Sequence, residues 1–197
     1  MKKIIVLLGG NGYIGRELTK AWHDRDKSAQ FIVLSRSGNN QLKLPEIKNV
    51  AVDLTDHGAV DDALPTKFDY IVDLIGRPEK DVILSKKVND QPAMLMKRLA
   101  ETHNAKAMGF IGGKLGPKYF LNTKKRLIGN LRQSTVPLAI VEPTLVYGAG
   151  RKDQMSRMVP LLRFFGIFNV NMKPVEIHHV VNELLEGLLA VGEEEVK

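Results

Sequence analysis

Between Leu8 and Arg16 the chain reads Gly9-Gly10-Asn11-Gly12-Tyr13-Ile14-Gly15. Glycine permits a tight turn and lets backbone approach a bulky anion closely, and the N–H groups and dipole of a following helix add positive potential. The spacing Gly9-x-x-Gly12-x-x-Gly15 departs from G-x-G-x-x-G, yet Gly10 and Asn11 keep the loop small, so the segment reads as a cradle for a pyrophosphate. The alternative is a glycine turn that holds no ligand.

Further along, Ser35-Arg36-Ser37 stands where a carboxylate would hold a ribose 2′-hydroxyl. An arginine there can pair with a 2′-phosphate and stack over adenine, which favours NADP(H) and leaves NAD(H) possible. The bland reading is an ordinary exposed arginine. Asp53-Leu54 is placed to bracket adenine from the other side, although Asp53 could equally cap a helix starting near Thr55. Ile75 could line a coenzyme and Gly76 would let the chain approach it; both also suit a simple turn. On a helix, Phe120, Lys124, Leu127, Ile128 and Leu131 share one face. Lys124 therefore either snorkels or meets a polar ligand at the carboxyl edge of a sheet.

The elements that must position these residues follow from periodicity. Lys3–Leu8 is a short apolar run bounded by glycines, as in a strand buried on both faces of a parallel sheet. Ile14, Leu18, Ala21 and Trp22 mark one face of the helix after it. Strands are expected at Phe31–Leu34, Val50–Val52, Tyr70–Ile75, Lys106–Ile111 and Pro137–Val141. Helices are expected around Ala59–Leu64, over 79–103 and over 117–133. In the second of these Leu84, Val88, Leu95, Met96, Leu99 and Ala100 would turn inward, and Pro92 would force a kink or a restart.

Alternating strands and helices predict an α/β fold, a Rossmann-like doubly wound parallel sheet of order 3-2-1-4-5-6 with a small C-terminal extension. Residues 1–197 read as one such domain, with 151–197 a small substrate or lid portion. That portion holds an apolar cluster from Leu161 to Phe168, a short extended piece near Pro174–Ile177 and a last helix with Val180, Val181, Leu184, Leu185, Leu188 and Leu189 on one face.

Composition narrows the classes. With 197 residues, 44% hydrophobic and 26% charged, the chain is ordinary globular material rather than disordered or fibrous. The absence of cysteine excludes disulfide scaffolds, thiolate metal sites and cysteine nucleophiles. His23, His57, His103, His178 and His179 show no metal spacing. The longest uncharged stretch, Ile4–Gly15, is shorter than the ~18 apolar residues of a membrane span. The Met-Lys-Lys start imitates a signal peptide, but Gly-Gly-Asn-Gly follows where a cleavage site would come, so a mature cytoplasmic protein is expected. The net charge of +7 is spread along the chain. Its densest cluster, Lys118 with Lys124, Lys125 and Arg126, lacks an array of stacking aromatics, so nucleic acid is not expected as a partner. A small-molecule substrate and a monomer or homodimer are.

With these residues in hand, the chain resembles the short-chain dehydrogenase/reductase superfamily, in its extended and atypical branch of NAD(P)H-binding, NmrA-like and epimerase-like proteins. The marks are Gly9-x-x-Gly12-x-x-Gly15, Asp53-Leu54, Val88-Asn89, and Glu142-Pro143-Thr144-Leu145-Val146-Tyr147-Gly148, similar to R-P-x-x-x-Y-G. Val175-Glu-Ile-His-His-Val-Val181 is similar to I-H-V-x-D-V-A, with His179 where Asp is usual. The resemblance implies that Gly9, Asn11, Gly12, Tyr13, Ile14 and Gly15 hold the coenzyme together with Arg36, Asp53, Leu54, Ile75 and Gly76. It implies that Pro143 to Val146 border the nicotinamide and that Lys124 holds the nicotinamide ribose.

Two departures bear on chemistry. Family reductases use a Tyr-x-x-x-Lys pair in which lysine lowers the phenol's pKa. Four residues before Lys124 stands Phe120; Tyr119 lies five before it and would point elsewhere. The serine expected after the fifth strand is replaced by Gly112 and Gly113. The resulting expectation is an NADP(H)-binding oxidoreductase that passes hydride to a small carbonyl, quinone or flavin-like acceptor near Gly113, Pro143 and Tyr147. Lys124 is then the retained catalytic residue, with Tyr119, water or the substrate supplying the proton. The alternative is a non-catalytic NADP(H) sensor or assembly factor. An epimerase or dehydratase ranks third.

Overall fold

In this computed structural model the described residues are 2–151, 159 and 173–194. The apolar cluster Leu161–Phe168 lies outside them. Strands β1 (Ile4–Leu8), β2 (Gln30–Ser35), β3 (Ile47–Ala51), β4 (Tyr70–Asp73), β5 (Ala107–Ile111) and β6 (Leu138–Val141) form one parallel sheet. Its order is β3-β2-β1-β4-β5-β6, as the alternation predicted. The strand order reverses between β1 and β4, and a doubly wound sheet opens its ligand crevice at that switch point.

Period-two alternation distributes each strand between two cores. Ile5, Leu7, Phe31, Val33, Tyr70 and Val72 face helix α1 (Tyr13–Arg25) and the C-terminal helix α6 (Ile177–Glu194). Val6, Leu8, Ile32, Leu34, Ile71 and Phe110 face the other helical layer. That layer comprises α2 (His57–Ala63), α4 (Gln91–Thr102) and α5 (Lys118–Leu131). The expected apolar stripe of α6, Val180 to Leu189, is buried throughout. Gly109 in β5 leaves room for Leu188, whose Cδ1 would be 3.3 Å from a Cβ there.

Several local expectations need correction. The third strand runs Ile47–Ala51, ahead of the Val50–Val52 read from its most apolar residues. The long helix expected over 79–103 runs unbroken from Val82 to Thr102, but with a π-turn (Lys86–Asp90) inside it, between α3 (Val82–Ser85) and α4. Pro92 does not restart the helix; it falls in the turn that directly follows the π-turn. Leu84 does not turn inward; it is exposed, on the short turn that Asp81 caps. Asp56, not Asp53, caps α2, accepting from the Ala59 N–H at 3.0 Å. A further parallel pair, β7 (Val146–Tyr147) and β8 (Val175–Glu176), follows the sheet. Its first strand was not anticipated.

The first turn of α1 rests directly on the turn before it. A Cβ on Gly15 would stand 2.5 Å from Gly10 Cα, a backbone atom that cannot swing aside. Gly129, on the exposed side of α5, meets nothing within 4 Å. Gly15→Ala is therefore expected to destabilise the protein by about 1–3 kcal/mol through overpacking. Gly129→Ala should instead stabilise it by roughly 0.5–1 kcal/mol through helix propensity. Urea unfolding of both variants checks the opposite signs.

Candidate functional site

The C-terminal ends of β1, β2, β3 and β4 enclose a cavity of about 610 Å³, within the ordinary range for small-molecule sites. Its lining brings together Gly9, Asn11, Arg36, Asp53, Leu54, Ile75 and Gly76, seven of the residues named from the sequence. Gly9 has φ +73° and donates its N–H to Leu34 O at 2.9 Å, and a Cβ there would collide with Ile75. Gly12 precedes α1 and binds back to Gly9 O at 3.0 Å. Among the described residues the N–H groups of Asn11 and Ile14 have no partner, as expected of a helix start that can receive an anion.

Other residues of the motif serve the scaffold. Gly15 is the contact under α1, and Ile14 packs on the core. The Tyr13 hydroxyl donates to Gly148 O at 3.0 Å, tying α1 to the loop after β7. Asn11 donates from Nδ2 to Asn39 O at 2.8 Å and accepts Arg16 on its own carbonyl. Asp53 accepts from both the N–H and the hydroxyl of Thr55 at 2.9 Å, and these bonds hold its carboxyl below the usual range.

Lys124 is 5% exposed and projects from α5 toward the loop after β4. Its Nζ lies 4.3 Å from the Phe110 ring centroid and 5.7 Å from that of Phe120. A Cβ on Gly76 would be 3.0 Å from that Nζ, so the missing side chain at 76 opens the lysine to the cavity's rim. Among the described residues Lys124 makes no hydrogen bond and no ion pair. Burial lowers its pKa, while the charge of Asp73 works in the opposite sense.

Asp73 was missed in the sequence. The register sets it beside Leu8 and Phe110, and it is 1% exposed. Its Oδ1 accepts the Ile75 N–H at 2.9 Å, and its Oδ2 has no partner. Burial pushes its pKa up to about 7, against the lowering pull of Lys124 and the Ile75 N–H. A charge-bearing residue inside the run Tyr70–Ile75 was the available signal. Asn89 was quoted only as a family mark. It is 1% exposed and clamps the next loop, accepting from Arg77 N–H at 3.0 Å and donating to Arg77 O at 3.1 Å.

Tyr119 is 37% exposed and lines neither cavity of the described residues, whereas Phe120 is the ring beside Lys124. Pro143 lines a second cavity of about 510 Å³ with Lys114, Glu142, Tyr147 and His179. Val146 is buried in the core behind it. No helix among the described residues is long and apolar enough to cross a membrane.

Comparison with known proteins agrees with this geometry. The model of the NAD dependent epimerase/dehydratase family matches residues 5–122, more than half of the chain, and the chain belongs to that family. A search of the curated proteins found no match. Among solved structures, a UDP-glucose 4-epimerase is similar at 14% identity, with 97% of this chain and 74% of that one covered and a TM-score of 0.76. A tyrosine-to-phenylalanine variant of ElxO with NADPH bound is similar at 16% identity, covering 99% and 93%, with a TM-score of 0.71. The enzyme WbmH of Bordetella bronchiseptica in complex with NAD+ is similar at 13% identity, covering 95% and 72%, with a TM-score of 0.67. Likeness at these identities establishes the shared fold.

The Asp73 shift carries a stability consequence. The folded protein keeps a proton between about pH 4 and 7 that the unfolded chain has released, so Asp73 subtracts stability as pH rises through that window. Asp73→Asn removes the dependence. Wild type should lose on the order of 2 kcal/mol relative to the variant between pH 5 and pH 7. Urea unfolding at the two pH values measures it, and parallel pH profiles would contradict the burial argument.

Proposed function

We propose that the chain binds NADP(H) in the glycine-lined cavity and serves as an oxidoreductase toward a small carbonyl or quinone acceptor. The observation that carries this reading is Lys124, a nearly buried lysine without a polar partner among the described residues, opened to the cavity rim by Gly76. A buried donor without a partner is unfavourable in the free protein, and a ligand hydroxyl would satisfy it.

The residues present fit the coenzyme. Glycines at 9, 12 and 15 leave the backbone bare where a diphosphate would lie, with the open N–H groups of α1 facing it. Arg36 would meet the ribose carrying adenine, and Leu54 with Asp53 would bracket the base. When bound, the coenzyme supplies hydride at its nicotinamide. Lys124 would hold the adjoining ribose, and Pro143 marks the side from which an acceptor enters. The Phe110 and Phe120 rings flank the Lys124 nitrogen, at 4.3 and 5.7 Å from their centroids. With phenylalanine four residues before the lysine, the proton for a reduced oxygen comes from water, from Tyr119 or from the substrate itself.

A second reading, a non-catalytic NADP(H) sensor, is favoured by one observation: the ring beside Lys124 is Phe120 rather than a tyrosine, and Tyr119 lines neither cavity among the described residues. Incubation with 4-deuterated NADPH and a panel of quinones and aldehydes separates the two. Stereospecific label transfer is the expected result; tight binding without transfer across the panel would establish the sensor. Arg36→Ala is expected to shrink the NADPH-over-NADH affinity ratio by about tenfold, as loss of a charge-assisted phosphate contact requires. An unchanged ratio would remove Arg36 from the site.

A further inference from the structure

Part of the cavity's lining is not built by the strand ends. Lys87 and Val88, in the π-turn before α4, border the same space as Arg36 and Asp53. Consecutive residues of a regular α-helix stand about 100° apart; in this wider turn both line the cavity. π-turns occur often at functional sites, and this one is firmly held. Asn89 is bonded through both side-chain atoms to the Arg77 backbone, and Asp90 accepts from Arg126 of α5 at 2.6 Å.

The side chain of Lys87, by contrast, is exposed, and it makes no hydrogen bond or ion pair among the described residues; the same holds for Arg36. Arg77, the third cation of the lining, is 3.7 Å from Glu79. The one carboxylate in the lining, Asp53, is occupied by Thr55. After those bonds, the charges of Lys87 and then Arg36 contribute most to keeping Asp53 ionised. Two cations thus border the same cavity, and both direct their fields at the ionised carboxylate of Asp53, whose oxygen is already engaged by Thr55.

We propose that Lys87 is a second ligand for a phosphate monoester on the adenosine ribose, closing on it from the π-turn while Arg36 closes from β2. Preference for the phosphorylated coenzyme is then shared between two cations. This rests on the coenzyme reading above and refines its specificity. It also implies that Arg36→Ala reduces the preference without abolishing it.

The test uses calorimetry on the full chain with 2′,5′-ADP and 5′-AMP, which differ by the phosphate in question and need no catalytic turnover. Wild type should bind 2′,5′-ADP more tightly than 5′-AMP. Lys87→Gln should weaken 2′,5′-ADP about fivefold to twentyfold and leave 5′-AMP within about twofold, with Lys87→Arg restoring most of the loss. Equal weakening of both ligands, or of neither, overturns the role of Lys87 while the coenzyme reading stands. Equal wild-type affinities for the two ligands overturn the phosphate subsite as a whole. Failure of the wild type to bind these ligands or NADH overturns the coenzyme reading itself.

Discussion

Helix α1 can sit where it does only because Gly15 brings backbone against backbone at Gly10, with no side chain between them. That contact fixes how closely the helix approaches β1 and β4, and hence how its open N–H groups face the crevice at the strand-order reversal. Gly9 then turns the chain away with a positive φ, leaving Ile75 to fill the space that its own Cβ would have taken. The cavity is a by-product of these two absences. Larger side chains at either position would have filled it or pushed the helix off the sheet.

A second constraint sits one layer deeper. Asp73 and Lys124 are each nearly excluded from water, and each is pushed toward its neutral form by burial while the other resists the change. Among the described residues no ion pair joins them, Asp73 Oδ2 has no hydrogen-bond partner and Lys124 donates no hydrogen bond. Buried polar groups in that condition are uncommon and concentrate where a ligand completes the network. Lys124 is opened toward the cavity by Gly76, whereas Asp73 lies closed behind the sheet edge. The pair thus divides into a group that can meet a ligand and a group that sets its charge.

Much of this was legible in the sequence because it depended on local chemistry. The glycine spacing, the strand-helix alternation, the Arg36 position and the one-residue offset between Tyr119 and Phe120 are all short-range facts. What escaped depended on tertiary contacts. The π-turn is held by Asn89, clamped to Arg77, and by Asp90, paired with Arg126, partners 12 and 36 residues away; Pro92 signalled only a local irregularity in the helix. Strand β7 has two residues, too few for a periodic signal. Lys87 was not singled out; only the turn brings it to the cavity that Arg36 also lines. Asp73 was visible as a carboxylate in an apolar run, but its desolvation follows from Leu8 and Phe110 on the neighbouring strands.

The most direct measurement is an NMR titration of the ¹⁵N-labelled protein with NADPH. Saturable shifts concentrated at the amides of residues 9–15 and 75–76 are the predicted result, because those N–H groups border the proposed diphosphate path and the opening to Lys124. Absence of binding at millimolar coenzyme, or saturable binding that leaves those amides unmoved and shifts only residues around the second cavity, would contradict it.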